Sequence, residues 1–167
     1  MKISRQFEEL PAVFGIKDNG KFLAAAEKTA QSKLEELFLI PQHTKEISVS
    51  LTFLDSSAMQ ETNMRYREID APTDVLSFPM WEDENGYYTP PEGWGELPLG
   101  DIVICPEVVV KNAQDNKKHP YEEFALVFFH SVLHLTGYDH DTEERKKEMW
   151  ALQDELVASL VKELNNE

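Results

Sequence analysis

Three of the five histidines in this 167-residue chain lie within eleven residues, in the segment HSVLHLTGYDH. His130 and His134 are four residues apart, so on a helix both imidazoles project from one face with their Cβ atoms about 6 Å apart. Two imidazoles at that spacing can bind one metal ion through bonds of about 2.0–2.1 Å. Gly137 permits the left-handed turn that ends the helix and brings His140 back toward the pair. The spacing therefore predicts a three-histidine metal site.

This ligand set indicates which metal and which kind of site to expect. A single histidine on an apolar face is more often a core residue, but two adjacent buried imidazoles would leave ring nitrogens without partners. Three protein ligands leave a fourth position for water or substrate, as in catalytic sites. Imidazole ligands favour one zinc ion per chain, although nickel or copper suits them in vitro. Asp139 or Asp141 is expected to orient an imidazole, with the alternative that Asp141 only caps the next helix.

The residue after the first histidine limits the chemistry of this site. The spacing H-x-x-x-H-x-x-G-x-x-H is that of metzincin peptidases, in which a glutamate after the first histidine is the general base. Here that residue is Ser131, whose hydroxyl cannot accept a proton near neutral pH. The ligands of a peptidase are thus present without its base. A zinc peptidase with a different base stays an alternative, since a proline-bracketed strand can pair with an extended peptide.

The helix that carries the histidines is predicted to lie at the centre of the fold. Pro120 suits a first helical position, and the segment is expected to end near Thr136, before Gly137. Glu122 and Glu123 suit the positive first turn of this helix. The segment has almost no polar face, which is typical of a buried helix.

Hydrophobic periodicity and end signals predict the elements around this helix. They are helices over 19–38, 57–67 and 106–116 and from 141 onward, and strands over 45–54, 74–78 and 100–105. Prolines at both ends of 74–78 indicate an edge strand, and 82–98 is expected to be a long surface loop. Without regular βαβ alternation, this order predicts an α+β fold with a small mixed sheet packed with helices around the central helix.

Particular residues are predicted to cap these helices or to form their buried faces. Asn19 is the expected N-cap of the first helix, Ser57 with Gln60 forms a candidate capping box, and Asp141 with Glu144 is expected to cap the last helix. The inward faces are predicted to be, in the first helix, Phe22, Ala26, Ala30, Leu34, Leu37 and Phe38, and in the last, Met149, Leu152, Leu156, Leu160 and Leu164.

Length and composition fit one globular domain over residues 1–167, with 41% hydrophobic and 28% charged residues. This apolar share excludes a disordered chain. The longest apolar run, Phe124 to Phe129, is far shorter than the ~20 residues of a membrane helix. The N-terminal segment lacks the apolar region of a secretory signal, and the single cysteine, Cys105, cannot form an internal disulfide. A cytoplasmic protein is therefore expected.

The net charge of −15 is unevenly distributed along the chain. Between Glu68 and Val110 there are ten acidic residues and no lysine or arginine, and the remainder has a balance of only −5. Phosphate contacts need lysine and arginine, so a uniformly acidic surface would disfavour nucleic acid. Because the acids are concentrated, a local basic cleft elsewhere is still compatible with the charge.

Several blocks of this sequence together resemble the YbeY proteins, a family of bacterial rRNA maturation factors. HSVLHLTGYDH is similar to the family pattern H-G-x-L-H-L-x-G-Y-D-H, with Ser131 in place of the usual glycine. The resemblance extends to NMRYREIDAPTDVLSFP at 63–79, to LGDIVI at 99–104, and to Met149, Leu152 and Gln153. It thus covers about residues 45–160.

The resemblance implies a zinc-bearing, zincin-like α+β fold and a single-strand-specific, metal-dependent endoribonuclease. The implied role is 16S rRNA 3′-end maturation and ribosome quality control, with rRNA and the small ribosomal subunit as partners. The resemblance also carries a functional arginine onto Arg67, which by spacing alone would be a solvated charge at a helix end. A metal and a guanidinium both stabilise the charge that builds on phosphate, and RNA brings its own 2′-hydroxyl nucleophile.

Two further expectations complete this set of hypotheses. Arg65 is a second candidate for a phosphate contact, although a solvated charge is the simpler interpretation. A ribosome-assembly protein with a structural metal is the alternative to an enzyme, and it predicts that metal removal unfolds the chain.

Overall fold

The computed structural model describes residues 1–166 and confirms the α+β class. Within these residues, no helix combines the length and the apolar character that crossing a membrane requires. Four strands, five α-helices and a short 3-10 helix at Ala12–Phe14 follow one another along the chain. Within residues 1–166 the strands and α-helices are, in order, β1 (Lys2–Arg5), α1 (Asn19–Glu36), β2 (Glu46–Phe53), α2 (Ser56–Arg67), β3 (Val75–Pro79), β4 (Glu96–Ile104), α3 (Pro106–Asp115), α4 (Pro120–Leu135) and α5 (Glu143–Asn165).

The sheet is mixed and has the strand order β1-β2-β4-β3. β1, β2 and β4 are parallel, and β3 runs antiparallel to β4, with Ser77 opposite Ile102. The predicted edge position of β3 is confirmed. β1 was not predicted, because four residues with only Ile3 buried are too few to show an alternating pattern.

The helix α4 lies in the middle of the hydrophobic core, as its apolar sequence predicts. It packs against α3, α5 and the edge strand β3. One side of the core comes from the alternating residues Ile47, Val49 and Leu51 of β2, each 1% exposed. Near the N-terminus of α4, the ring of Phe124 stacks on Phe14 with a centroid distance of 4.5 Å. Burial on these sides holds the histidine helix in one position.

The helix α1 begins at Asn19 as predicted, but its predicted N-cap and its predicted end are wrong. Its N-cap is Asp18, whose side chain accepts a hydrogen bond from the Lys21 backbone N–H, whereas Asn19 accepts one from Leu10. At the other end the helix stops at Glu36. Phe38 adopts a positive φ of 57° and is 93% exposed, so its predicted burial is also wrong. Leu37, also predicted to be buried, is the C-cap and is only partly buried.

The predicted caps of α2 and α5 are wrong in the same way. α2 begins after Asp55, whose carboxylate accepts from the N–H of Ala58, so the predicted Ser57–Gln60 box lies inside the helix. α5 begins after Thr142, whose hydroxyl accepts from the N–H of Arg145. Competing cap residues stand next to one another in the sequence, and the direction of the incoming chain selects among them.

The predicted surface loop 82–98 is shorter in the structure, because β4 already begins at Glu96. Leu97 and Leu99 are buried in the sheet at 0% and 1% exposure. Pro98 is accommodated next to a register shift between β2 and β4, where a proline costs the ladder least. Its carbonyl oxygen accepts a hydrogen bond from Trp81 Nε1. The remaining segment forms a hairpin-like excursion, which we call the acidic hairpin (residues 81–95).

Candidate metal centre

The structure brings the three predicted histidines together at one end of α4. His130 and His134 project from α4, and His140 lies in the turn before α5. One ring nitrogen of each lies within 4.8 Å of the others. The ring centroids are 4.6 Å apart for 130 and 134, 5.7 Å for 130 and 140, and 5.2 Å for 134 and 140. Within residues 1–166 this group contains no fourth protein ligand. Its donor atoms are close enough to converge on one cation.

The return of the chain from His134 to His140 depends on Gly137. This glycine has a φ of 99°, a conformation that residues with a Cβ rarely adopt. Its N–H donates to the carbonyl of His134, and the N–H of Tyr138 donates to Leu133. A Cβ on Gly137 would lie 3.0 Å from Cβ of Tyr88 in the acidic hairpin. The bend that carries the third histidine is therefore packed against the hairpin.

The orientation of His130 is set by Gln153 of α5. His130 Nδ1 lies 2.9 Å from Gln153 Oε1, and Gln153 is 4% exposed. Since an amide oxygen only accepts, Nδ1 carries the proton and Nε2 is left to face the cluster. Trp150 adds an aromatic side to the cluster, because its ring is edge-on to His130 and His140 at 5.7 Å.

Neither Gln153 nor Trp150 was predicted to contact the histidines. A polar residue one turn from Met149 and Leu156, on the buried face of α5, was the available signal for Gln153. Neither Asp139 nor Asp141 makes a hydrogen bond to an imidazole among the described residues. Asp139 accepts from the backbone N–H of His140, and Asp141 pairs with Arg145 at 3.1 Å.

Burial keeps the helical imidazoles neutral. Desolvation lowers the pKa of His130 below its ordinary value, and the hydrogen bond to Gln153 partly opposes this shift. Desolvation also lowers the pKa of His134 to about 4, with further contributions from His130 and His140. A neutral imidazole offers the lone pair that a metal requires, whereas a protonated one does not. The donor set is therefore compatible with a metal site at neutral pH.

The histidines form one side of a cavity of about 670 Å³. Its lining also includes the end of α2, with Tyr66 and Arg67, and the segment from Thr73 to Pro79, which includes β3. Its charged lining is one arginine against three carboxylates, those of Asp74, Glu82 and Asp139. With neutral imidazoles this lining carries two net negative charges. A divalent cation held by the histidines would balance them.

A second glycine allows the two sides of the cavity to approach each other. Gly100 has a φ of 147°, and a Cβ there would overlap the carbonyl oxygen of Phe78 and lie 2.9 Å from Leu135 Cδ2. Gly100 lies in β4 opposite Pro79 of β3. Any larger residue would separate the edge strand from the end of the histidine helix.

The structure separates the two candidate arginines. Arg67 lines the same cavity as the histidines. Arg65 is 68% exposed, lies 3.8 Å from Glu61, and does not line the cavity. Ser131 is fully buried, and its hydroxyl has no hydrogen-bond partner within residues 1–166. The Ser131 hydroxyl is therefore not part of the cavity lining and does not supply the missing base.

Comparison with known proteins identifies similar sequences over most of the chain. The family model described as Endoribonuclease YbeY matches residues 16–161. Proteins named Endoribonuclease YbeY from Mycolicibacterium gilvum and Mycolicibacterium vanbaalenii are both 45% identical, over 115 and 113 residues. These matches cover 69% and 68% of this chain but 65% and 61% of the relatives, so the match spans less than two thirds of their length.

A similar fold has been solved experimentally. The solution structure of a protein from Thermotoga maritima matches with a TM-score of 0.60 and 26% sequence identity. The match covers 97% of this chain and 91% of that protein. The arrangement of strands and helices around the histidine cluster thus occurs in a second protein with a quarter of its residues in common.

Proposed function

This chain belongs to the YbeY family, and from that premise we propose that it is a metal-dependent endoribonuclease acting on single-stranded RNA. The observation that carries the proposal is that the three histidines and Arg67 line one cavity. The names of the relatives, each an endoribonuclease, support the same activity.

In this proposal, His130, His134 and His140 hold one zinc ion. Zinc is the first choice for an all-imidazole set. When bound, it would stabilise negative charge on a phosphate oxygen as a Lewis acid. Gln153 keeps the His130 ring turned toward the cluster through the bond to Nδ1. A positioned ring loses less entropy when it binds a cation, which raises metal affinity.

Arg67 is proposed to bind the scissile phosphate within the same cavity. Its planar guanidinium can donate two parallel hydrogen bonds to phosphate oxygens. Arg67 is exposed and ends α2, with no ion-pair partner among the residues described. It is therefore available to a substrate without first breaking a salt bridge. The carboxylates in the lining would repel phosphate, so RNA binding depends on the cation as well as on Arg67.

The same proposal includes the biological substrate that the family resemblance implies. That substrate is rRNA of the small ribosomal subunit, matured at the 16S 3′ end in the cytoplasm by one domain spanning residues 1–167. The concentration of the cationic groups at one cavity supports RNA as the substrate. A chain with a net charge of −15 can bind RNA only where its repulsion of phosphate is relieved.

The two alternative functions fit the structure less well. A peptidase would need its general base from another element, because Ser131 is buried in the core. A purely structural metal is usually enclosed by four protein ligands. The cluster here has three within residues 1–166, and it borders an open cavity.

A cleavage assay on an end-labelled single-stranded rRNA fragment tests the proposal. We expect the zinc-loaded protein to cleave it, and chelator, His130→Ala and Arg67→Ala each to suppress cleavage. The matched controls are His43→Asn and Arg65→Ala, which change the same residue types outside the cavity. Cleavage that persists in both site variants would show a contaminating nuclease and contradict the proposal.

A further inference from the structure

We propose that Tyr66 is a stacking platform for one unpaired nucleobase, next to the phosphate that Arg67 binds. This inference rests on the proposed function and adds to it a subsite for the neutral part of the substrate. It assigns a ligand class, an exposed planar base, to a part of the cavity that the metal and the arginine do not use.

The first observation is the position and exposure of the ring. Tyr66 lies in the last turn of α2, beside Arg67, and both line the cavity that the histidines border. Tyr66 is 61% exposed, although a ring of this size contributes most when it is buried. Its ring meets that of Phe78 in an edge-to-face contact, with centroids 5.0 Å apart and an interplanar angle of 70°. Phe78 thus fixes the ring while most of its surface stays open.

The second observation is the free edge of β3 beside this ring. β3 is the last strand of the sheet, and it bonds to β4 through backbone groups at Asp74 and Met80. In an antiparallel ladder the bonding direction alternates, so Val75 and Ser77 turn their N–H and C=O groups outward. Both residues line the cavity. The edge therefore offers hydrogen-bond donors and acceptors, which are the groups that a base edge presents.

The third observation is the charge of the cavity. The three carboxylates in its lining disfavour a second phosphate, whereas a base carries no charge. An aromatic ring can stack on the flat face of any base. Each stacking contact adds binding free energy that depends little on the identity of the base. A base that is already stacked in a duplex cannot use it. The platform would therefore select single-stranded RNA.

A binding experiment on the zinc-loaded protein tests this subsite. The probes are a fluorescent 2′-O-methyl oligoadenylate hexamer and an abasic hexamer with the same backbone, with affinity measured by anisotropy. We expect Tyr66→Leu to weaken binding of the adenine probe by about 5- to 100-fold. The abasic probe should bind equally to both proteins, and Tyr66→Phe should retain wild-type affinity because it keeps the ring.

Tyr87→Leu is the matched control, since Tyr87 is 60% exposed in the acidic hairpin and does not line this cavity. It should bind both probes as the wild type does. Circular dichroism checks that each variant is folded. The inference is overturned if Tyr66→Leu binds the adenine probe normally, if the wild type does not distinguish the two probes, or if neither binds. Base-dependent binding through Tyr66 without RNA cleavage would leave the subsite standing and remove the endoribonuclease proposal.

Discussion

Two groups of residues at the cavity differ in how the rest of the fold holds them in place. The histidine wall (residues 130, 134, 140 and 153) comes from α4, α5 and the turn between them, and Gln153 bonds to His130 across two helices. The open wall (residues 66, 67 and 75–79) comes from the end of α2 and an edge strand. Tyr66 and Arg67 are exposed there and have few protein partners. The positions of the histidines are therefore set by folding, whereas Tyr66 and Arg67 leave most of their side chains free for a ligand.

This contrast separates the consequences of mutation. A change in the histidine wall should alter metal affinity and the stability of the core together, because its residues lie between packed helices. A change in the open wall should alter substrate binding while metal content and stability stay constant.

The largest effect is expected when a ligand of the histidine wall is removed. His134→Ala should lower zinc affinity more than 100-fold. This exceeds the decrease of about 10- to 100-fold that is expected when a residue that only orients a ligand is replaced. Cleavage should fall in parallel. Metal analysis after dialysis against a weak chelator measures the first effect, with His43→Asn as control. Full zinc content in His134→Ala would show that the ion is bound elsewhere.

Removal of the arginine tests the open wall. Arg67→Ala should lower kcat/KM by about 100-fold, as expected for the loss of one group that stabilises transition-state charge. Zinc content and thermal stability should not change, and Arg67→Lys should recover part of the activity because it restores charge without the fork. Arg65→Ala should behave as the wild type. Loss of zinc from Arg67→Ala would mean that the two walls are not independent.

The bond between Gln153 and His130 should have a smaller effect that is confined to the histidine wall. Gln153→Leu keeps the side chain buried but removes the acceptor, and should weaken zinc binding by about 10-fold. Competition with a fluorescent zinc chelator gives the affinity. Gln60→Leu is the control, since the Gln60 side chain donates to Asp70 and does not line the cavity. Equal zinc affinity in both variants would show that Gln153 does not position the ligand.

The metal-free protein should lose stability as the pH falls. His134 has a pKa of about 4 when folded and about 6.5 when unfolded, so the unfolded chain binds more protons between these values. The contribution of His134 to the free energy of unfolding should therefore be complete above pH ~6.5. It should decline toward pH ~4, by about 2 kcal/mol. Urea unfolding of chelator-treated protein across this range measures the slope. His134→Ala should show a flatter profile, and an unchanged slope would contradict the assignment.

The smallest effect concerns the buried hydroxyl behind the histidine wall. Ser131 Oγ is fully enclosed and has no hydrogen-bond partner among the described residues. Ser131→Ala removes this group and should stabilise the fold by about 1 kcal/mol, with activity unchanged. Thermal unfolding and the cleavage assay check both parts. A large loss of activity would indicate that the hydroxyl reaches the substrate after all.

Much of the fold was predictable because its signals are local. The apolar character of α4 and the prolines around β3 placed these elements correctly, in the core and at the sheet edge. The errors also have local causes. Asp18, Asp55 and Thr142 were missed as caps because neighbouring residues are equally good hydrogen-bond acceptors, and β1 was missed because it is short.

The available chemistry, and the spacing of its three histidines, are already evident from the order of the residues. Two histidines one helical turn apart, a glycine that permits a reversal and a third histidine after it are sufficient to predict a cluster, since each step spans only a few residues. Only the packed fold shows that Gln153 bonds to His130 and that Arg67, distant in the chain, lines the same cavity as the histidines. The reason is that such contacts depend on how helices and strands pack, and packing is a property of the whole core.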